Sequence, residues 1–151
     1  MYSLEELEQR ARQAVGKKAA FGDDVDLDSF DKSFVPHKYL AEEEICAIPE
    51  EEQQRLIMSG LDVTDTGRGG TYFQKDTTVV HCHSDEEGIE VMPVTEALKK
   101  HDWVKEYFWK LVSVDQDKYT ASAFLDLHDG YVIRALPGSK SIYPIQACLY
   151  L

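Results

Sequence analysis

The sequence predicts an α+β fold, an amino-terminal helical region with short strands that leads into stacked β-structure. Three observations carry this. Capped, helically spaced apolar residues occur near residues 4–15 and 49–59. From Gly70 onward, short β-branched and aromatic runs alternate with turns rich in Gly, Pro and Asp. Between Asp102 and Val112 lie both tryptophans, Trp103 and Trp109, with Tyr107 and Phe108. Aromatic side chains carry the largest apolar payload, so this stretch predicts the main buried centre. The expected division is an amino-terminal α+β domain over residues 1–112, with helices at about 4–15, 49–59 and 95–112, and a β-region over 113–151.

Each element has a local reason. Ser3 and Glu6 have capping-box spacing, and Leu4, Leu7, Ala11 and Ala14 share a helical face that stops at Gly16. The acidic run Asp23 to Asp28 alternates carboxylates but fails the calcium-loop pattern. Ser29 stands where a glycine is needed and Val35 where a glutamate is needed, so it reads as a solvated loop. Pro36 and Tyr39 fall in an irregular connector from Phe30 to Ile48. Pro49 starts a helix whose first turn holds Glu50, Glu51 and Glu52, matching the positive helix end, and Gly60 ends it. The runs Thr71–Gln74, Thr77–His83 and Ile89–Met92 read as strands. Thr95 is placed to cap a helix that continues, with a break near His101, through the aromatic stretch. Strands are then expected at Tyr119–Leu127, Tyr131–Ala135 and Ile142–Leu151.

Bulk charge narrows the function. The net charge of −12 opposes phosphate-backbone binding and anionic membrane surfaces, while it suits a basic protein partner. Three cysteines without a CxxC pair fit a reducing compartment, and with neither a signal peptide nor a long apolar run the expected location is cytoplasmic.

The densest group of ligand-type residues is His81-Cys82-His83. On a strand, the histidines share one face and Cys82 the other. A metal-binding reading joins His81, Cys82 and His83 with Cys46, or with His37 or an aspartate. The competing reading is a surface strand with exposed histidines and a buried thiol. Cys82 makes no catalytic pair with its neighbours, Cys46 follows acids that suppress its thiolate, and Cys148 reads as core. No nucleophile elbow, HExxH, phosphate loop or dinucleotide fingerprint is present, so no catalytic residue is assigned and an enzyme is not expected; a small enzyme of unknown class is the last alternative. Arg134 lies within a strand, facing solvent or an acidic partner.

Several segments together resemble the SufB/SufD family. They are Gly70-Thr71-Tyr72, Val79-Val80-His81-Cys82 and Gly88 to Pro93 leading into Glu96-Ala97-Leu98; then Lys110-Leu111-Val112, Asp115 to Ala121, His128 to Arg134, Pro137-Gly138 and Pro144 to Cys148. The likeness is to the amino-terminal portion, from about Gly22 onward. It implies a scaffold for iron–sulfur cluster assembly, with a right-handed parallel β-helix whose first rungs would start at Tyr119. It also implies a SufC-type ATPase and a SufB/SufD-type subunit as partners, or a homodimer. The cluster is handled by the full-length family complex, and no cofactor or cluster ligand transfers to this chain. A solenoid of one or two rungs leaves an open apolar end, so residues 113–151 are expected to be the start of a truncated β-helix.

Overall fold

The computed structural model describes residues 2–30, 33, 35–40, 44, 48–61 and 67–150. Mixed α and β structure is present, with four helices and two small sheets among the described residues. The chain forms two compact units that interleave in sequence, Met1–Ser33 with Leu98–His128, and Phe34–Ala97 with Asp129–Leu151, whereas the sequence reading divided it after residue 112.

In the first unit, α1 (Leu4–Ala14) begins at the expected capping box. Ser3 Oγ accepts from the Glu6 amide at 3.1 Å, and the Glu6 carboxylate accepts from the Ser3 amide at 2.7 Å. Its face of Leu7, Ala11 and Ala14 is buried against Val114 and Ala121, with Phe108, Trp109, Phe124 and Leu125 at the margin. Ala121 belongs to a helix, α4 (Lys118–Leu125), which corrects the strand expected at Tyr119–Leu127 and with it the first rung placed there. The cause is local. Asp117 accepts from the Thr120 amide at 2.9 Å, and Thr120 Oγ1 accepts from the Asp117 amide at 3.1 Å. This second capping box satisfies two orphan donors and overrides the β-propensity of Tyr119 and Thr120.

The expected helix over 95–112 is also corrected. It stops at Lys100, His101 is extended, and Asp102–Glu106 form a 3₁₀ turn followed by irregular turns. The aromatic stretch is therefore not the main buried centre. Trp103 is 37% exposed and Leu111 99% exposed. Val104 is buried, and Phe108 and Trp109 pack at the margin of the core beside α1, where Trp109 meets Phe124 edge-on at 5.8 Å. Trp109 adopts a φ of 54°, the left-handed region that bulky residues avoid at a cost of about 1–3 kcal/mol. The aromatic packing holds it there.

In the second unit, α2 (Glu50–Met58) follows Pro49 and ends before Gly60, with the Leu61 amide donating to Leu56 O at 2.9 Å. β1 (Gly70–Lys75) lies between β2 (Thr78–Ser84), antiparallel, and β5 (Ile145–Tyr150), parallel. β3 (Ile89–Pro93) pairs antiparallel with β4 (Tyr131–Ala135), with Glu90 opposite Arg134. These two residues form an ion pair at 3.2 Å, so Arg134 has an acidic partner across the ladder. β4 and β5 belong to different sheets, and β5 is the parallel neighbour of β1.

β1 is buried on both faces. Phe73 packs with Leu56, Leu61 and Val80, while Tyr72, 0% exposed, packs with Ile89 and Val91 and meets the Tyr131 ring at 5.3 Å. A Cβ on Gly70 would lie 2.9 Å from His83 O and 3.1 Å from Val91 Cγ2, so only glycine lets the strands close here. The register shifts opposite Phe73 and Gln74, leaving Val80 as the extra residue of a bulge. Val79 and Cys82 accordingly join the Tyr72 side, and Val80 the Phe73 side. α3 (Val94–Lys100) is capped by Asp129 rather than by Thr95. The Asp129 carboxylate accepts from the Thr95 amide at 3.2 Å, from its hydroxyl at 2.7 Å and from the Gly130 amide at 2.9 Å.

The cap of α4 makes a pH prediction. Asp117 is 5% exposed, and its carboxylate also accepts from the Ala20 amide at 3.0 Å. Amide donation from Thr120 and Ala20 holds its carboxyl below the ordinary aspartate range. A lowered folded-state value means its contribution is complete above the unfolded value of about 3.9 and is lost as pH falls through the folded one. Asp117→Ala should cost about 1 kcal/mol in urea unfolding at pH 7, and the difference from the parent should shrink below about pH 3.9.

Candidate functional site

The sequence draws attention to His81, Cys82 and His83, which the bulge of β2 presents in two directions. His81 is 4% exposed. Its Nδ1 lies 3.1 Å from Leu40 O, and its Nε2 lies 2.8 Å from His83 Nδ1. His83 Nε2 in turn faces the Asp85 carboxylate at 3.3 Å. A carbonyl only accepts, so His81 Nδ1 carries a proton. A carboxylate also only accepts, so His83 Nε2 is the donor to Asp85. The two rings and Asp85 thus form a continuous hydrogen-bonded chain from Leu40 O.

Tyr39 closes this arrangement from above. Its ring stacks on His81 with centroids 6.3 Å apart. Its hydroxyl donates to Cys82 O at 3.1 Å and accepts from the Cys82 amide at 3.2 Å, standing in for a neighbouring strand. The Leu40 amide continues the pattern, donating to Val80 O at 2.6 Å. Residues 39–40 therefore cover the outer edge of β2, the usual remedy for an unpaired strand.

Cys82 points away from the histidines. Its Sγ donates to Val91 O at 3.4 Å, between the two sheets. Burial, then the carboxylates of Glu96 and Asp129, push its thiol up to about 12. Such surroundings suppress the thiolate at neutral pH. Cys46, the fourth residue of the expected metal set, lies outside the described residues. His37 is engaged by Asp76 at 2.6 Å, beside the β1–β2 turn where Asp76 takes a φ of 49°. Among the described residues, no group of three His, Cys, Asp or Glu side chains is arranged to hold a metal ion. The structure thus brings His81 and His83 together and separates Cys82 from them. Cys148 is half-buried beside Phe73, and burial raises its thiol as well.

Sequence reasoning missed two structural anchors. Glu86 accepts from the Ile142 and Tyr143 amides at 3.0 and 3.1 Å. Hydrogen bonding from Ser141, then from those amides, lowers its carboxyl below the ordinary range. Tyr39 was read only as part of a connector. The Tyr39-Leu40 pair was the available apolar signal, but the partner of Tyr39 is 43 residues away.

No family model matches the chain. A protein of Methanothermobacter thermautotrophicus (strain Delta H) named "Iron-sulfur cluster assembly SufBD family protein" is 36% identical over 148 residues, which is 95% of this chain. A protein of the same family name from Archaeoglobus fulgidus is 43% identical over 100 residues, 66% of this chain. By sequence, the chain belongs to the SufBD family. It spans 36% and 27% of the lengths of those two relatives. The Methanothermobacter match takes in nearly the whole SufBD-type chain described above.

The partial burial of Cys82 and its raised thiol set a chemical expectation. In a Cys46→Ser, Cys148→Ser background, iodoacetamide at pH 7 should modify folded Cys82 at least about a hundredfold more slowly than the urea-unfolded chain. Mass spectrometry of timed samples measures this, and equal rates would place the thiol at the surface.

Proposed function

We propose that this chain is a scaffold or accessory module of iron–sulfur cluster assembly that acts through protein contacts. The observation that carries the reading is the match to SufBD family proteins named for cluster assembly. The chemistry of the described residues supports it. His81, His83 and Asp85 hydrogen-bond to one another, Cys82 is half-buried between the sheets, and Asp129 and Glu86 hold backbone amides. These groups fix structure, and the reading assigns no chemical step to them.

The proposed partners are a SufC-type ATPase and a SufB/SufD-type subunit. The parallel β-helix belongs to the same proposal. β5 is a parallel neighbour of β1, lies at the sheet edge and carries no charged residue, features suited to the addition of further parallel strands.

Co-expression of the tagged chain with the SufC-type ATPase and the SufB/SufD-type subunit of the same genome tests the reading. At least one should co-elute with the chain in a defined stoichiometry. Retention of neither, with both expressed and folded, would contradict it. Iron and zinc content of the same anaerobically purified sample, compared with a His81→Ala, His83→Ala variant, tests the metal alternative; equal content would remove it.

A further inference from the structure

The first unit carries a cleft of about 450 Å³ beside α1 that the cluster-assembly reading does not use. Its floor is apolar, made by Leu7, Phe108 and Trp109. Its rim holds three cations, Arg10, Lys105 and Lys110, against one carboxylate, Glu106. We propose that this cleft is a docking site for an acidic peptide segment that inserts a bulky apolar anchor between those cations.

Charge is the first argument. The chain as a whole carries −12, yet residues 99–112 hold four lysines (Lys99, Lys100, Lys105 and Lys110) and two carboxylates (Asp102 and Glu106). A local reversal of sign on an acidic protein directs an acidic partner to this surface and repels a basic one. Composition is the second argument. Aromatic residues beside arginine are the side chains that dominate protein–protein contacts when they line a pocket. Tyr107 and Leu111, next to the cleft residues in sequence, are 65% and 99% exposed and extend the apolar contact beyond the mouth. The volume suits a single large side chain with its backbone flanks.

The third argument is preorganisation. Trp109 is held in its left-handed conformation by packing on Phe124, so its indole is already in place. Arg10 is fixed by Asp115 at 2.8 Å and lies over the Tyr2 ring, 4.1 Å from its centroid. Lys105 pairs with Asp102, whose side chain is almost fully exposed, a pairing that a partner's carboxylate can replace at little cost. Lys110 lies over the Tyr107 ring at 5.5 Å. A rigid floor and rim reduce the ordering cost of binding. The inference is independent of the role in cluster assembly, because it rests on this cleft alone.

Trp109 lines this cleft, so intrinsic fluorescence reports on it. The probe is a short synthetic peptide with a central phenylalanine flanked by glutamates, titrated into the full chain at low salt. Saturable binding is expected, with little or none for the same peptide carrying lysines in place of the glutamates. The exposed double substitution Lys105→Glu, Lys110→Glu should weaken binding about tenfold or more, while Lys18→Glu, away from the cleft, should leave it unchanged. Circular dichroism confirms that each variant is folded. For a double variant that does not fold, Lys110→Glu alone is the substitute and should weaken binding in the same direction. Absence of saturable binding to the parent, equal binding of the lysine peptide, or binding indifferent to the cleft substitutions in a folded variant would overturn the proposal.

Discussion

The burial of β1 on both faces is the constraint on which the second unit depends. A strand with only one dry face needs only alternating polarity, whereas β1 must satisfy two different neighbours at once. Phe73 meets the side of α2, and Tyr72 meets the side of β3 and β4. Gly70 brings the strand close enough to His83 O and Val91 for both contacts to form. Everything distinctive in β2 follows from that fit. The bulge at Val80 lets Val80 fill the Phe73 side and Cys82 the Tyr72 side, and it sends His81 toward Leu40 and Tyr39. The histidine pair is then a consequence of sheet packing. Its polar atoms meet one another and Asp85 instead of converging on a vacant centre.

In the first unit, the corresponding constraint is the close approach of α1 and α4 through small residues. Ala11, Ala14 and Ala121 are fully buried, and they leave room for Phe108 and Trp109 to close the margin. The acidic segment before α4 is tied down by the same helix. Tyr119 donates to Asp23 O at 2.7 Å, and Lys118 pairs with Asp24 at 2.6 Å. The Asp24 carboxylate and the Asp23 backbone carbonyl are thus each engaged by a side chain of the helix.

Elements governed by local chemistry were legible in the sequence. The capping box of α1, the start of α2 after Pro49, and the strands around Tyr72, Cys82, Val91 and Ile133 all follow from residues within one turn or one hairpin. The errors came from competing local signals. Tyr119 and Thr120 favour strand, but Asp117 with Thr120 makes a cap, and Ala121, Phe124 and Leu125 have helical spacing; that pattern was available and outweighs propensity. The aromatic stretch misled because apolar content was equated with burial. Its chain direction changes at His101 and again at Trp109, so Tyr107 and Leu111 turn outward. The separation of Cys82 from the histidines was readable from strand alternation. The roles of Tyr39, Asp129 and Glu86 depend on contacts across 43, 34 and 56 residues, which no local pattern encodes.

The polar groups of the described residues hold the fold itself, and membership of the SufBD family gives the proposed role its context. The account stands on β1 as the organising strand of the second unit. Hydrogen–deuterium exchange of the intact chain, resolved to single amides, tests this most directly. The account predicts that Tyr72, Phe73 and Gln74 exchange most slowly in that unit and open only with the unit as a whole. Exchange of those amides as fast as the amides of residues 35–40 would contradict it.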